Sequence, residues 1–424
     1  MAYLGEPDIF PNHQFPPPPW TQPVETVRQN LLVNETAWQQ QTNYESSQPP
    51  LYYALGGGYW RFAKACGFHG GLLLYGLRFL NIFFVAALVW LGYCAARLIF
   101  PENLFLRLGV PALLAFIPQS AFYSINNDVL SPICFGAAFI CLVRLLQTDA
   151  PSIRLTTFTG LALAATLLAK MTNLPLFLVS IAVVLFKIWS FAKTGKLRAS
   201  LPAITMLILI AGLIAGSWLA WTKYNFGDYT GASVKIKHLG WTPKPFGEWW
   251  HHPIFTPHGI WTFLSGLLAT FWQGEFWWHR QPMALPIIDL IYVISSIGLV
   301  ALALVNLLSR DKIIARSQRQ ALWLGFWSFF ASVAFFGFFS IIYDFGDCPN
   351  PSRDHPYFTS GRLMLGVLIP FVLLFLYGLD CVISPTKNKW TKPLVLAVMI
   401  LSMLISEIVI DFPTFSNPYN WFHM

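Results

Sequence analysis

The sequence predicts an all-α integral membrane protein with about ten transmembrane helices. Only 11% of its 424 residues are charged, whereas 55% are hydrophobic and the mean hydropathy is +0.54. A soluble domain carries about 25% charged residues, so the composition excludes a soluble surface. Long apolar runs separated by short loops, with Lys and Arg gathered in alternate loops, give the same prediction.

The net charge of +8 does not indicate a nucleic-acid partner. In a membrane protein, an excess of Lys and Arg is expected on cytoplasmic loops. The cysteines and histidines have no spacing typical of a metal site. We predict no metal ligands and no cofactor from the sequence, although a divalent cation stays compatible with it.

Residues 1–71 form a polar region that is rich in Pro, Gln and Asn, and Val24–Gln41 is predicted to form a short helix. We call Tyr44–Tyr53 the ledge segment. Its Pro49 and Pro50 fix φ and remove two N–H donors, so we predict an extended, rigid segment at the membrane surface.

Two groups of apolar segments follow, about six spans in residues 72–223 and about four in 287–411. Residues 224–286 form a large loop between the groups, and 412–424 form a tail. Several spans are short for the ~20 residues that a crossing needs. The candidate spans are Leu72–Phe100, Leu106–Phe122, Val129–Leu146, Leu155–Lys170, Leu174–Trp189, Leu201–Lys223, Ile287–Leu308, Ala321–Ile342, Arg362–Ile383 and Pro393–Ile410.

The positions of Lys and Arg predict the orientation of the chain. They cluster in alternate loops, which we assign to the cytoplasm. Residues 1–71, the loop 224–286 and the tail are then external, which is the periplasmic side if the membrane is a bacterial inner membrane. The clusters are Arg97 and Arg107; Arg144 and Arg154; Lys187, Lys193, Lys196 and Arg198; Arg310, Lys312, Arg316 and Arg319; and Lys387, Lys389 and Lys392.

This orientation requires about seventy residues to cross the membrane without a signal peptide. We therefore expect a further transmembrane helix upstream of Met1. In the alternative, Leu72–Phe100 carries the N-terminus across by itself.

Asn127 and Asp128 end an external turn and begin a span. They can act as a helix N-cap, because their side chains accept hydrogen bonds from free N–H groups. A carboxylate near lipid depth is also costly and is usually paired. Lys170 ends the next span on the same side, so we predict an Asp128–Lys170 ion pair.

Three cations are predicted to lie at a similar depth near the external side, namely Arg78, Lys170 and Arg362. Cations beside helix N-termini suit a phosphate group. In the alternative, each side chain extends to the interface by itself. We predict that the three cations bind a shared anionic ligand.

The loop 224–286 is rich in Trp and His. Interfacial anchoring explains most of these tryptophans, and stacking on a sugar is the alternative for one or two. Ile260–Trp272 is amphipathic and is predicted to lie along the membrane surface. Glu248 and Glu275 are the only glutamates of this loop, and either could act as acid or base.

An ordered set of motifs resembles the GT-C superfamily of polytopic glycosyltransferases, in particular a bacterial branch similar to protein O-mannosyltransferases and aminoarabinose transferases. The resemblance runs from about Tyr3 to Leu379. The motifs are Pro49-Pro50-Leu51-Tyr52-Tyr53, Arg78 with Asn81, Ile125-Asn126-Asn127-Asp128-Val129-Leu130, Leu167-Leu168-Ala169-Lys170-Met171-Thr172-Asn173 and Ser360-Gly361-Arg362.

The resemblance implies a GT-C-like helix bundle that transfers a sugar from a polyprenyl-phosphate donor to an external acceptor, which is a lipid, glycan or protein. Arg78, Lys170 and Arg362 would bind the donor phosphate. Gln48, Tyr52, Tyr53, Asn127 and Asp128 would shape the site.

The family's catalytic carboxylate lies upstream of the motif that resembles Tyr3–Pro7. The candidates in this chain are therefore weak, and they are Glu6, Asp8, Glu45 and Glu275. Two other functions stay open, namely a transporter or flippase of lipid-linked solutes and a non-catalytic remnant that binds polyprenyl lipid.

Cysteine labelling tests the orientation. In a background without the native cysteines, Thr242→Cys should react with an impermeant thiol reagent in intact cells, and Thr194→Cys should react only after lysis. The opposite labelling pattern would invert the orientation.

Overall fold

The computed structural model describes residues 17–18, 21–39, 44–278, 281–309, 314–348, 350–386 and 388–416. The candidate acids Glu6 and Asp8 lie outside these residues. The helices are α1 Val24–Gln39, α2 Leu51–Ala65, α3 Gly70–Ile99, α4 Leu104–Phe116, α5 Ser131–Gln147, α6 Ile153–Ala169, α7 Leu174–Lys193, α8 Leu197–Phe226, α9 Ala232–His238, α10 Pro257–Gln273, α11 Pro286–Leu308, α12 Arg316–Ile342, α13 Leu368–Ile383 and α14 Thr391–Phe415.

The prediction of an all-α membrane fold is confirmed. In the described part of the chain, 8 helical segments are long and apolar enough to cross a membrane. The other two predicted spans correspond to α4 and α6, which are shorter apolar helices. The 8 segments are Gly70–Ile99, Asn127–Gln147, Met171–Lys193, Leu197–Phe226, Pro286–Leu308, Arg316–Ile342, Gly361–Ile383 and Thr391–Phe415.

Helices α5 and α13 form the centre of the bundle. In their most apolar windows, 72% and 78% of the residues are buried, against 17% for α3 and for α14. Helix α13 packs against α4, α11 and α12, and Phe371 and Phe375 from α13 contact the fully buried Trp272 of α10. The outer helices therefore expose apolar side chains, as a lipid-facing surface requires.

Helix α4 ends earlier than the predicted span Leu106–Phe122. Ile117 precedes Pro118 and adopts an extended conformation (φ −62°, ψ 125°), because the proline ring disfavours a helical residue before it. The chain then turns inward at Gln119, which is fully buried and donates a hydrogen bond of 2.7 Å to the carbonyl of Phe271.

The ledge segment is partly helical, with Gln48–Pro50 between a 3₁₀ turn and a helix, so the extended conformation predicted for the whole segment is wrong. Tyr44–Ser47 forms a 3₁₀ turn, and α2 begins at Leu51, directly after Pro50 in a helical conformation. The prolines precede the helix, where their missing N–H groups cost nothing, so they start α2. The predicted helix Val24–Gln41 is confirmed as Val24–Gln39.

A glycine brings the start of α13 against α10. Gly361 begins a 3₁₀ segment, Gly361–Val367, that leads into α13. A Cβ atom at Gly361 would lie 2.1 Å from the carbonyl oxygen of Leu267, so no larger residue fits there. This close contact fixes the position of the next residue, Arg362.

The loop between α8 and α11 is joined to the segment that follows α12. Strand β1 (Thr242–Pro243) pairs antiparallel with strand β2 (Tyr343–Asp344). His252 lies 3.1 Å from the carbonyl oxygen of Pro356, and burial lowers the pKa of His252 to about 4. The predicted amphipathic helix Ile260–Trp272 forms as part of α10, with one side buried in the bundle and Trp261 exposed on the other.

Candidate functional site

A cavity of about 580 Å³ lies at the end of the bundle where the segments before α5, after α6 and before α13 meet. Each of these segments contributes a residue that the sequence predicts for the site. The predicted site residues that line the cavity are Glu45, Gln48, Tyr53, Asn127, Asp128, Lys170 and Arg362.

A chain of ion pairs forms the polar end of this cavity. Asp128 is 1% exposed and accepts hydrogen bonds from Lys170 Nζ and, at 3.1 Å, from Arg362 Nη1. Arg362 Nε donates to Glu275 Oε2 at 2.8 Å. The predicted Asp128–Lys170 pair is confirmed, and Arg362 joins it to Glu275.

The chain of ion pairs contains two cations and two carboxylates, so its formal charge is balanced. Asp128 keeps Lys170 in its charged form, because a carboxylate in contact favours the protonated amine. A buried charge is tolerated only when it is paired, so both partners of Asp128 are needed to hold it.

The ledge segment and α9 form the opposite wall of the cavity. Glu45 accepts a hydrogen bond of 3.4 Å from Lys235 of α9, and Asn127 donates one of 3.3 Å to Gln48. Gly231, with φ of +68°, contacts Ser47 so closely that a Cβ atom would lie 2.7 Å from the Cβ of Ser47. The side chain of Glu45 is 46% exposed and is accessible to a ligand.

An aromatic wall completes the cavity, and sequence reasoning missed it. Phe335, Phe336 and Phe339 of α12 line the cavity together with Trp241 and Phe358. In the sequence, the phenylalanines of α12 look like ordinary residues of an apolar span. The cavity therefore combines a charged end with apolar walls, which suits an amphipathic ligand.

The structure does not bring every predicted residue to the cavity. Arg78 is exposed, and its guanidinium lies over the ring of Tyr75, 5.7 Å from the centroid, so it does not join Lys170 and Arg362. Position along α3 predicts the depth of a side chain but not its direction. Asn81 of the same helix turns inward instead and donates hydrogen bonds of 2.9 Å to Phe122 and Ser124 carbonyls.

Tyr52 does not line the cavity. It is 3% exposed and packs against Phe84, and burial raises its pKa to about 12. Glu248 does not line the cavity, and Glu275 reaches it through Arg362. Among the described residues, no group of three or more His, Cys, Asp or Glu could hold a metal ion.

The fold and the apolar surface define an integral, multi-pass membrane protein. Residues 19–338 match the family described as "Predicted membrane protein (DUF2142)". The chain therefore belongs to the DUF2142 family. No curated protein and no solved structure matches it.

A double-mutant cycle tests the coupling of Asp128 and Lys170. Asp128→Asn leaves the buried Lys170 without its carboxylate, and Lys170→Met leaves the buried Asp128 with Arg362 alone. Each variant should lower the free energy of unfolding, by up to roughly 3 to 5 kcal/mol. The double variant should be less destabilised than the sum of the two, by about 1 to 3 kcal/mol. Unfolding in detergent measures these effects.

The exposed pair Lys196–Asp149, at 3.8 Å, is the matched control, and its removal should have little effect. Additive effects of Asp128→Asn and Lys170→Met would contradict the coupling.

Proposed function

We propose that this protein is a membrane glycosyltransferase that moves a sugar from a polyprenyl-phosphate donor to an acceptor on the external face. The observation that carries the proposal is the cavity in which Lys170 and Arg362 lie beside apolar and aromatic walls. A lipid-linked sugar phosphate has the same combination of charged and apolar parts as the cavity, because its phosphate is anionic, its sugar is polar and its isoprenoid chain is apolar.

Binding of the donor phosphate requires Arg362 to release one of its carboxylate partners. The guanidinium already contacts Asp128 and Glu275, and its side chain is 37% exposed. The donor phosphodiester offers Arg362 bidentate hydrogen bonds, and its phosphate gains a further negative charge as the sugar leaves, whereas the charge of a carboxylate does not grow. We infer that the phosphate displaces Glu275, which is 21% exposed, while the buried Asp128 stays in place.

The donor phosphate is the leaving group of the reaction. The acceptor oxygen attacks the anomeric carbon, the bond from this carbon to the phosphate oxygen breaks, and its electron pair passes to the phosphate. Attack from the opposite face inverts the configuration at the anomeric carbon. Lys170 and Arg362 stabilise the negative charge that develops on the phosphate.

Glu45 is the carboxylate that is best placed to accept the acceptor's proton. It lines the cavity, and its side chain is 46% exposed. Asp128 is unsuitable as a base, because two cations hold it and it is 1% exposed. In this proposal Glu275 controls access to Arg362 instead of acting on the acceptor.

The rate of sugar transfer by the protein in proteoliposomes tests the proposal. A panel of polyprenyl-phosphate sugars serves as donors, and detergent extracts of envelope lipids serve as acceptors. Arg362→Ala should lower the rate by about 10²-fold or more, because the phosphate loses a charged donor. Glu45→Gln should lower the rate by roughly 10² to 10⁴-fold while donor binding persists.

Arg353→Ala is the matched control, because Arg353 is an exposed arginine bound to Asp344 at 3.3 Å and does not line the cavity. Its transfer rate should match that of the wild type. Undiminished transfer by a folded Arg362→Ala variant would refute the assignment of the phosphate site. Passage of intact lipid-linked sugar across the vesicle membrane without transfer would indicate a transporter.

A further inference from the structure

A second cavity lies between α5 and α6, where the C-terminal end of α5 meets the N-terminal end of α6. Its volume is about 750 Å³, and its walls include small or apolar residues from both helices. Two arginines, Arg144 and Arg154, line it. The orientation predicted from the sequence places this end in the cytoplasm, opposite the first cavity.

The two arginines are exposed cations. Among the described residues, neither Arg144 nor Arg154 has a carboxylate within ion-pair distance. The nearest acid along the chain, Asp149, is 90% exposed and faces Lys196. The guanidinium of Arg154 lies over the ring of Phe158, 5.9 Å from the centroid, which holds it beside the cavity. Both side chains are therefore able to bind an anion.

The remaining walls form an apolar groove that is open to the lipid. Phe158 and Leu161 are 53% and 43% exposed, and Ala137, Ala162 and Ala165 leave space between the helices. From Arg154 to Ala165 the groove follows α6 for about 16 Å, at 1.5 Å per residue. This length accommodates much of an acyl chain.

We propose that this cavity binds one anionic glycerophospholipid of the cytoplasmic leaflet. Its phosphate would contact Arg144 and Arg154, and one acyl chain would lie along the groove. Basic pockets between transmembrane helices on the cytoplasmic side bind such headgroups. The proposal does not depend on the function of the first cavity.

Native mass spectrometry of the purified protein in a neutral detergent tests the proposal, with phosphatidylglycerol and phosphatidylcholine as probes. Wild type should retain one phosphatidylglycerol in preference to phosphatidylcholine. The double variant Arg144→Gln/Arg154→Gln should bind phosphatidylglycerol roughly thirtyfold more weakly, about fivefold for each arginine.

Lys193→Gln/Arg198→Gln is the matched control, because it removes the same charge from exposed residues of the same predicted face that do not line this cavity. Its affinity should stay within about threefold of that of the wild type. Ala162→Trp fills the groove without a change of charge and should abolish the retention of phosphatidylglycerol. This variant tests the proposal if the arginine variant does not fold.

Equal retention of phosphatidylglycerol by wild type, Ala162→Trp and the arginine variant would overturn the proposal. Competition by soluble glycerol phosphate as strong as that by phosphatidylglycerol would also overturn it, because the site would then bind a free anion.

Discussion

The buried carboxylate of Asp128 is the constraint on which the candidate site depends. A charge removed from water is stable only when partners compensate it, and Asp128 has two, Lys170 and Arg362. These residues come from different parts of the chain, so their pairing requires the segments before α5, after α6 and before α13 to meet. Gly361 makes this possible, because it allows the segment of Arg362 to approach the backbone of α10 closely.

The same arrangement places charged and apolar surfaces in one cavity. The ion pairs lie at one end, the Glu45–Lys235 contact lies on another wall, and the phenylalanines of α12 supply the apolar surface. A water-soluble anion would leave the aromatic wall unused, and a plain lipid would leave the charged groups unused. An amphipathic, lipid-linked anion uses both, which is why the proposed donor fits the cavity.

The sequence predicted the helices well, because the lengths of the hydrophobic runs and the charges of the loops between them depend on local composition. It also predicted the Asp128–Lys170 pair, since Asp128 begins one span and Lys170 ends the next span on the same side. It failed for Arg78, because the depth of a residue along a helix does not determine the direction of its side chain. It failed for the ledge segment as well, where two prolines start a helix instead of extending the chain. The sequence did not predict the aromatic wall of α12, because a phenylalanine that lines a cavity cannot be distinguished in the sequence from one that packs in a core.

Binding of a short-chain isoprenyl phosphate to the purified protein tests the central claim most directly, because it needs neither the sugar nor the acceptor to be known. We predict that calorimetry shows one bound ligand per chain. Lys170→Met and Arg362→Ala should each weaken this binding by at least about tenfold, and Arg353→Ala should leave it unchanged. Equal affinity of wild type, Lys170→Met and Arg362→Ala, or no binding to the wild type, would contradict the account.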